Sequence, residues 1–245
     1  LQTVHIGGVE VSSVSLHNQD EIDRLDARIG DHVLVERAGD VIPHIVKVLK
    51  KKRNGKEKKY HLPDRCPSCG QPVSRPEGEA ITRCMNTSCP AQRKEAIIHF
   101  ASKQAFDIDG LGEKIVDQLV EKELVKTPAD LFELDAGDIG RLERMADKSA
   151  ANLHKAIQDA ARKVTLPRLI YALGIPHVGQ ALADDLAMTF GSISDLADAN
   201  RKQLAAHEGM GETIASAMTA WFDNKQNRTL IKRLKALDID PEPRK

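Results

Sequence analysis

Apolar and polar residues alternate from Val4 to Val14 around Gly7-Gly8, the period-two pattern of a strand hairpin. His32 to Glu36 and Val41 to Leu49 read as two more strands, joined at Ala38-Gly39-Asp40. Between these regions, Asn18 to Leu25 places Asp20 and Glu21 early and apolar Ile22 and Leu25 after them, which predicts a short helix. Several short strands and one helix suggest a small β-barrel rather than a bundle. From Ala91 onward the period changes to that of helices, which are short and separated by glycine or proline.

This helical region repeats itself. Ile108-Asp109-Gly110-Leu111-Gly112-Glu113-Lys114, Leu142-Glu143-Arg144-Met145-Ala146-Asp147-Lys148, Ile175-Pro176-His177-Val178-Gly179-Gln180-Ala181 and His207-Glu208-Gly209-Met210-Gly211-Glu212-Thr213 share one pattern. Gly112, Ala146, Gly179 and Gly211 lie 34, 33 and 32 residues apart, and a helical pattern such as Ile115 to Val120 or Ala181 to Leu186 follows. So steady a period signals repeated supersecondary units. The matching positions are turn glycines, which sets them apart from the packing residues of superhelical helix-pair repeats. The second copy departs from the others, with Arg144 and Ala146 where glycines are expected.

A short glycine turn opening directly into a helix points backbone N–H groups outward, where the helix dipole also favours an anion. Glycine suits this use because a Cβ would hold a phosphate away. Gly110, Gly112, Gly179, Gly209 and Gly211 are therefore candidate backbone-contact positions, with Lys114 and Lys148 adding charge to two of the turns. One such turn is weak support for binding. Four at near-constant spacing are strong.

The four cysteines fall within 24 residues, as Cys66-Pro-Ser-Cys69 and Cys84-Met-Asn-Thr-Ser-Cys89 with fourteen residues between the pairs. Two such pairs can close a tetrahedron of thiolates about 2.3 Å from zinc. Gly70 and Gly78 would allow the tight turns that a zinc knuckle needs. A closed shell of four sulfurs leaves no position for water, so the expected Zn2+ is structural. A disulfide pair or a redox Cys-x-x-Cys are the alternatives, and His61 is a further, less favoured ligand. In a chain neither small nor visibly secreted, a reducing cytosol is the expected setting.

Composition narrows the reading. Hydrophobic residues make up 41%, charged residues 29%, and no apolar run approaches the roughly 18 residues of a membrane span. Aromatics, at 3%, are too few for a stacking platform for single strands. Net charge is zero, and the lysine-rich stretch from Lys47 to Lys59 reads by itself as a solvated loop. No signal peptide is visible, and a first residue of Leu1 suggests a fragment or a processed piece.

The repeats resemble the helix-hairpin-helix module, and the whole chain resembles the C-terminal portion of the bacterial NAD-dependent DNA ligases. The residues carrying the likeness are Ser15-Leu16-His17-Asn18 with Asp20-Glu21-Ile22, Arg37-Ala38-Gly39-Asp40-Val41-Ile42-Pro43, and the cysteine segment followed by Gln92-Arg93-Lys94-Glu95. Asp109-Gly110-Leu111-Gly112 and Tyr171-Ala172-Leu173-Gly174-Ile175 complete it. The family usually has Thr in place of Ser15.

The resemblance implies a multidomain architecture: an OB-fold over 1–60 lacking its first strand, a four-cysteine zinc finger over 61–92, and an all-α domain of four helix-hairpin-helix motifs over 93–245. Arg37 matches a position that contacts DNA beside the nick. The zinc finger would act as a joint between two DNA-binding domains. The full enzyme (EC 6.5.1.2 class) seals nicks in replication and repair. A lysine takes AMP from NAD, passes it to the 5′-phosphate, and the 3′-hydroxyl displaces it with Mg2+ assisting. The family's Lys-x-Asp-Gly motif is missing, since Asp107 precedes Asp109-Gly110 where the lysine would stand. The NAD-capturing, nucleotidyltransferase and BRCT domains are missing too. The expectation is a monomeric chain of the bacterial cytosol and nucleoid that grips nicked duplex DNA without reading sequence and has no catalytic residue. A stand-alone, non-catalytic DNA-binding repair adaptor is the other reading.

Overall fold

The computed structural model describes residues 1–37, 42–75, 78–86, 88–207 and 209–241. Two compact units emerge, Leu1–Cys89 and Pro90–Lys245.

In the first unit, β1 (Val4–Ile6) and β2 (Val9–Val11) pair antiparallel, with Val4 opposite Val11 and Ile6 opposite Val9. Gly7 and Gly8 at φ 59° and 79° form the tight turn, which needs left-handed backbone at both central residues. This expected hairpin is shorter than the alternation from Val4 to Val14 suggested. Helix α1 (Gln19–Leu25) starts where Asn18 Oδ1 accepts from the Glu21 N–H at 2.9 Å, and it buries Ile22 and Leu25 one turn apart. Strands β4 (Val33–Glu36) and β5 (His44–Val48) pair as expected, with a register shift between Leu34 and Val35. Their joining turn at Ala38-Gly39-Asp40, and Val41, lie outside the described residues.

The lysine-rich stretch is more ordered than a solvated loop. It continues β5 into a 3-10 turn at Lys50–Lys52 and then into β6 (Lys58–Lys59), which pairs with β3 (Arg28–Ile29). Polarity hid this strand, because neither Lys58 nor Lys59 is buried. Among the described residues, each strand has a single partner, so the sheets are two-stranded ribbons.

What holds these ribbons is electrostatic. Apart from two cysteines, Val11, Ile22 and Leu25 are the only buried apolar residues described in this unit. Arg53 offsets the thin core by donating from Nε to Asp31 Oδ1 at 2.7 Å and from Nη1 to Asp26 Oδ2 at 2.8 Å. Lys50 reaches the same Asp26 oxygen at 3.1 Å, and the Arg28 N–H reaches Asp31 Oδ2 at 2.8 Å. Asp26 ends α1 in the left-handed conformation, so one guanidinium ties the helix end to the β3–β4 turn and to the lysine-rich segment. The Asp31 side chain is 2% exposed. Hydrogen bonds from Arg53 hold both carboxyls below the ordinary aspartate range.

The cysteine segment adds β7 (Val73–Ser74) and β8 (Arg83–Cys84), paired with Val73 opposite Cys84. It is fastened to α1 twice. Arg75 donates Nη1 to Asp20 Oδ1 at 2.7 Å and Nη2 to Asp20 Oδ2, and Gln19 Oε1 accepts from the Leu62 N–H at 2.9 Å.

The second unit is helical: α2 (Pro90–Ala101), α3 (Glu113–Glu121), α4 (Ala136–Gly140), α5 (Asp147–Lys163), α6 (Leu166–Ala172) and α7 (Gln180–Phe190) are followed by α8 (Ile193–Asp198), α9 (Arg201–Ala205), α10 (Glu212–Asp223) and α11 (Lys225–Ala236). A 3-10 turn, Pro128–Glu133, precedes α4. The core forms because these helices carry apolar residues at helical spacing, as in Ala150, Leu153, Ile157 and Ala160 of α5. Phe100 stacks on Phe106 at 4.1 Å, and Phe132 meets both rings at 6.0 and 5.4 Å. Arg233 of α11 donates to Asp130 at 2.6 Å and also pairs with Glu133, closing the end of the chain onto the 3-10 turn. No described helix is long and apolar enough to cross a membrane.

The Asp26–Arg53–Asp31 cluster predicts an acid sensitivity of the first unit. Carboxyls held low in the folded state contribute stability above the unfolded aspartate value of about 3.9, and lose it as pH falls through their folded values. The protection of residues 1–89 from hydrogen exchange in the whole chain, taken relative to the unstructured-chain rate at the same pH, is expected to fall progressively below about pH 4. Asp31→Asn should raise exchange at neutral pH and flatten that acid response.

Candidate nucleic-acid interface and metal centre

Cys66 and Cys69 sit on a turn closed by the Gly70 N–H donating to Cys66 O at 2.8 Å, with Gly70 at φ 69°. The Cys66 N–H donates to Gln71 O at 2.8 Å, so the turn folds back as a knuckle. On the facing side, Asn86 O accepts from the Cys89 N–H at 2.9 Å. The four Sγ atoms lie within 4.8 Å of one another, with Cys66–Cys89 at 3.8 Å and Cys69–Cys84 at 3.6 Å. A tetrahedron with zinc–sulfur bonds near 2.3 Å has edges of about 3.8 Å. The donor set therefore fits a structural zinc ion, and these separations are far too long for S–S bonds near 2.05 Å. His61 is exposed and not part of the cluster.

Hydrogen bonding and burial act differently on the thiols. The Asn86 side chain and the Gln71 backbone help bring Cys69 down to about 6. The Asn86 backbone also favours the Cys84 thiolate, but burial and the neighbouring sulfurs outweigh it and push Cys84 up to about 12. Four sulfurs this close cannot all ionise unless a cation joins them.

The four repeat turns adopt one conformation. In each, the third residue is left-handed: Gly110 at φ 82°, Arg144 at 59°, His177 at 67° and Gly209 at 79°. The N–H of the fourth donates back to the carbonyl of the first, Leu111 to Ile108, Met145 to Leu142, Val178 to Ile175 and Met210 to His207, at 3.1–3.3 Å. The second turn therefore departs in sequence and keeps the shape. Apolar residues on either side anchor it, Ile108, Leu111, Leu142, Ile175, Val178 and Met210 all being buried. Between them the turn is exposed. Residue 208 lies outside the described residues.

Gly112, Ala146, Gly179 and Gly211 each form the N-cap of the following helix, α3, α5, α7 and α10, and provide no side-chain cap. Four other helices of this unit are capped, α4 by Asp135, α8 by Ser192, α9 by Asn200 and α11 by Asn224, whereas α6 after Thr165 is not. An uncapped helix start leaves its first N–H groups without an internal acceptor. The fold does not require glycine there. Gly112, Gly179 and Gly211 have φ of −81°, −84° and −78°, which any residue adopts, and a Cβ on them would meet nothing within 4 Å. Ala146 holds the same conformation at φ −78°.

The other expected positions are distributed. Lys114 and Lys148 are exposed in the first turns of α3 and α5. Arg37 belongs to the first unit, where its guanidinium lies 3.9 Å from the position of a Cβ built on Gly7. Two cations escaped the sequence reading. Lys94 of α2 pairs with Glu113 at 3.2 Å and Asp117 at 2.5 Å, and Arg201 of α9 pairs with Glu212. Glu113 and Glu212 are the first residues of α3 and α10, so each cation offsets an acid at a hairpin helix start. The partners are distant in sequence, and no motif spacing pointed to them. His177 was missed as well, although it stands at the repeat position of Gly110.

Comparison with known proteins agrees with this arrangement. Residues 1–57 match the NAD-dependent DNA ligase OB-fold domain and residues 65–91 the NAD-dependent DNA ligase C4 zinc finger domain. Residues 103–159 match a SAM-like helix-hairpin-helix tandem, and residues 168–231 a helix-hairpin-helix motif. The DNA ligase of Halothermothrix orenii is 49% identical over 240 residues, covering 98% of this chain and 36% of that protein. Those of Syntrophotalea carbinolica and Alkalilimnicola ehrlichii are each 48% identical, over 99% and 100% of this chain. The chain thus spans 36–37% of the length of these relatives. With an OB-fold, a C4 zinc finger and helix-hairpin-helix domains in that order, the chain is similar over its length to the corresponding portion of the NAD-dependent DNA ligases.

Proposed function

We propose that this chain is the DNA-gripping portion of a ligase that seals nicks in duplex DNA during replication and repair, and that it holds the duplex through its backbone without reading bases. The observation carrying the reading is the set of uncapped helix starts at Gly112, Gly179 and Gly211, where the fold has no use for glycine. An anion approaching the helix axis has such a use, since it needs open N–H groups and no Cβ in its way. Gly110, Gly209, Lys114 and Lys148 would extend these starts into a binding surface, and Arg37 would contribute from the OB-fold. The working domain limits are 1–60, 61–92 and 93–245. The chain acts as a monomer in the bacterial cytosol, on nicked duplex of any sequence.

Cys66, Cys69, Cys84 and Cys89 hold one Zn2+ in a closed thiolate shell, so the metal supports the fold and performs no chemistry. NAD and Mg2+ serve the full-length enzyme. No Lys-x-Asp-Gly occurs in this sequence, so the AMP-accepting step is not carried out by these residues.

Four measurements bear on this reading. Gly112→Val and Gly211→Val are each expected to weaken duplex binding by about tenfold while changing stability by no more than about 1 kcal/mol. Binding should also fall steeply with salt and be indifferent to sequence; equal affinity at low and high salt would contradict backbone contact. Elemental analysis should return one zinc per chain, and Cys66→Ser should lose it together with the protection of residues 65–89 from hydrogen exchange. After incubation with NAD and Mg2+, intact-mass analysis should show no added AMP; such an adduct would overturn the assignment of the chemistry elsewhere.

A further inference from the structure

The four turns share a backbone but not a tip. In the tandem at residues 103–159 the left-handed residues are Gly110 and Arg144, and across residues 168–231 they are His177 and Gly209. Each pair of hairpins therefore has one glycine tip and one tip bearing a side chain that donates hydrogen bonds. A non-glycine residue in this conformation is held at a cost that glycine avoids. Nothing inside the fold compensates for it. The Arg144 and His177 side chains are exposed, and among the described residues neither makes a hydrogen bond or an ion pair. Shape does not demand them either, because Gly110 and Gly209 make the same turn. Arg144 also stands four residues before the exposed Lys148 at the start of α5.

We infer that each tandem grips the phosphodiester backbone in two ways: one hairpin by close approach of its main chain at Gly110 or Gly209, the other by a side chain at its tip, Arg144 or His177, donating to phosphate oxygens. This rests on the backbone-gripping reading above and adds residues to it. Arg144 offers the planar fork of donors that suits a phosphate, and His177 offers a ring N–H. The acidic residues nearest Arg144 in sequence are Glu143 and Asp147, whereas none adjoins His177. The neighbouring acids make Arg144 the more demanding case, because the arginine must outweigh them to attract a phosphate.

Stability and binding separate this role from a tolerated irregularity. In the whole chain, Arg144→Gly and His177→Gly remove the left-handed penalty, so each should raise Tm by about 2–4 °C. If the side chains contact phosphate, the same variants should weaken binding of a nicked duplex oligonucleotide about three- to tenfold, and Arg144→Gly should lower the slope of log affinity against log salt by about one. Arg144→Lys should keep most of that slope. A higher Tm with unchanged or tighter binding would overturn the inference, while Gly112→Val, still weak, would leave the backbone reading intact. If Gly112→Val also bound normally, the backbone reading would fall first. A lower Tm for Arg144→Gly would remove the premise of a penalised tip.

Discussion

A chain that turns sharply into a helix must leave the helix's first N–H groups unpaired, and everything in the second unit is arranged around that fact. Buried residues on both sides of each turn, such as Ile108 with Leu111 and Ile175 with Val178, pin it to the core and leave its polar backbone nowhere to go but outward. Packing thus supplies the rigidity, and the missing caps are what the proposed contact with anions would use. The helices between the hairpins answer the same constraint the opposite way, with Asp135, Ser192, Asn200 and Asn224 closing their own starts. One chain therefore holds both solutions, although α6, away from the repeat turns, also starts without a side-chain cap.

The first unit faces a different shortage. Its short ribbons bury few apolar side chains, and a small domain with so thin a core needs staples. Two are present in its residues. Arg53 collects Asp26 and Asp31 from segments far apart in sequence, and the four sulfurs gather two knuckle turns around a shape that suits zinc. The bond of Arg75 to Asp20 links these devices, because α1 carries Asp20 near its start and ends at Asp26. Metal and ion pairs thus support a common helix.

Much of this was legible in the sequence because periodic features leave periodic traces. The turn glycines, the cysteine pairs, the Gly7-Gly8 hairpin and the capped start of α1 all follow from local rules, and the turns and helix start stand where those rules put them. What stayed hidden depends on distance. The β3–β6 pair uses Lys58 and Lys59, whose polarity gives no alternation to detect, and its partner strand lies far back in the sequence at Arg28 and Ile29. Arg53, Lys94, Arg201 and Arg233 are ordinary surface residues in a linear reading, and become structural only when folding delivers carboxylates to them. The second hairpin shows the reverse case. Its sequence argued for a lapse in the pattern, yet burial of Leu142 was enough to hold Arg144 in a conformation that glycine would have taken more cheaply.

The bare helix starts have a consequence for anyone seeking a hardier protein. Serine or aspartate at Gly112, Ala146, Gly179 or Gly211 would supply the absent cap, adding about 1 kcal/mol at Ala146 and roughly a few tenths of a kcal/mol at each glycine. Those substitutions rank high on any stability-guided design because the sites are open and the backbone already fits. They would also occupy the N–H groups from within, so the hairpins would become more stable and less receptive together. If these starts hold phosphate as proposed, thermal tolerance and ligand capture compete for the same few hydrogen atoms.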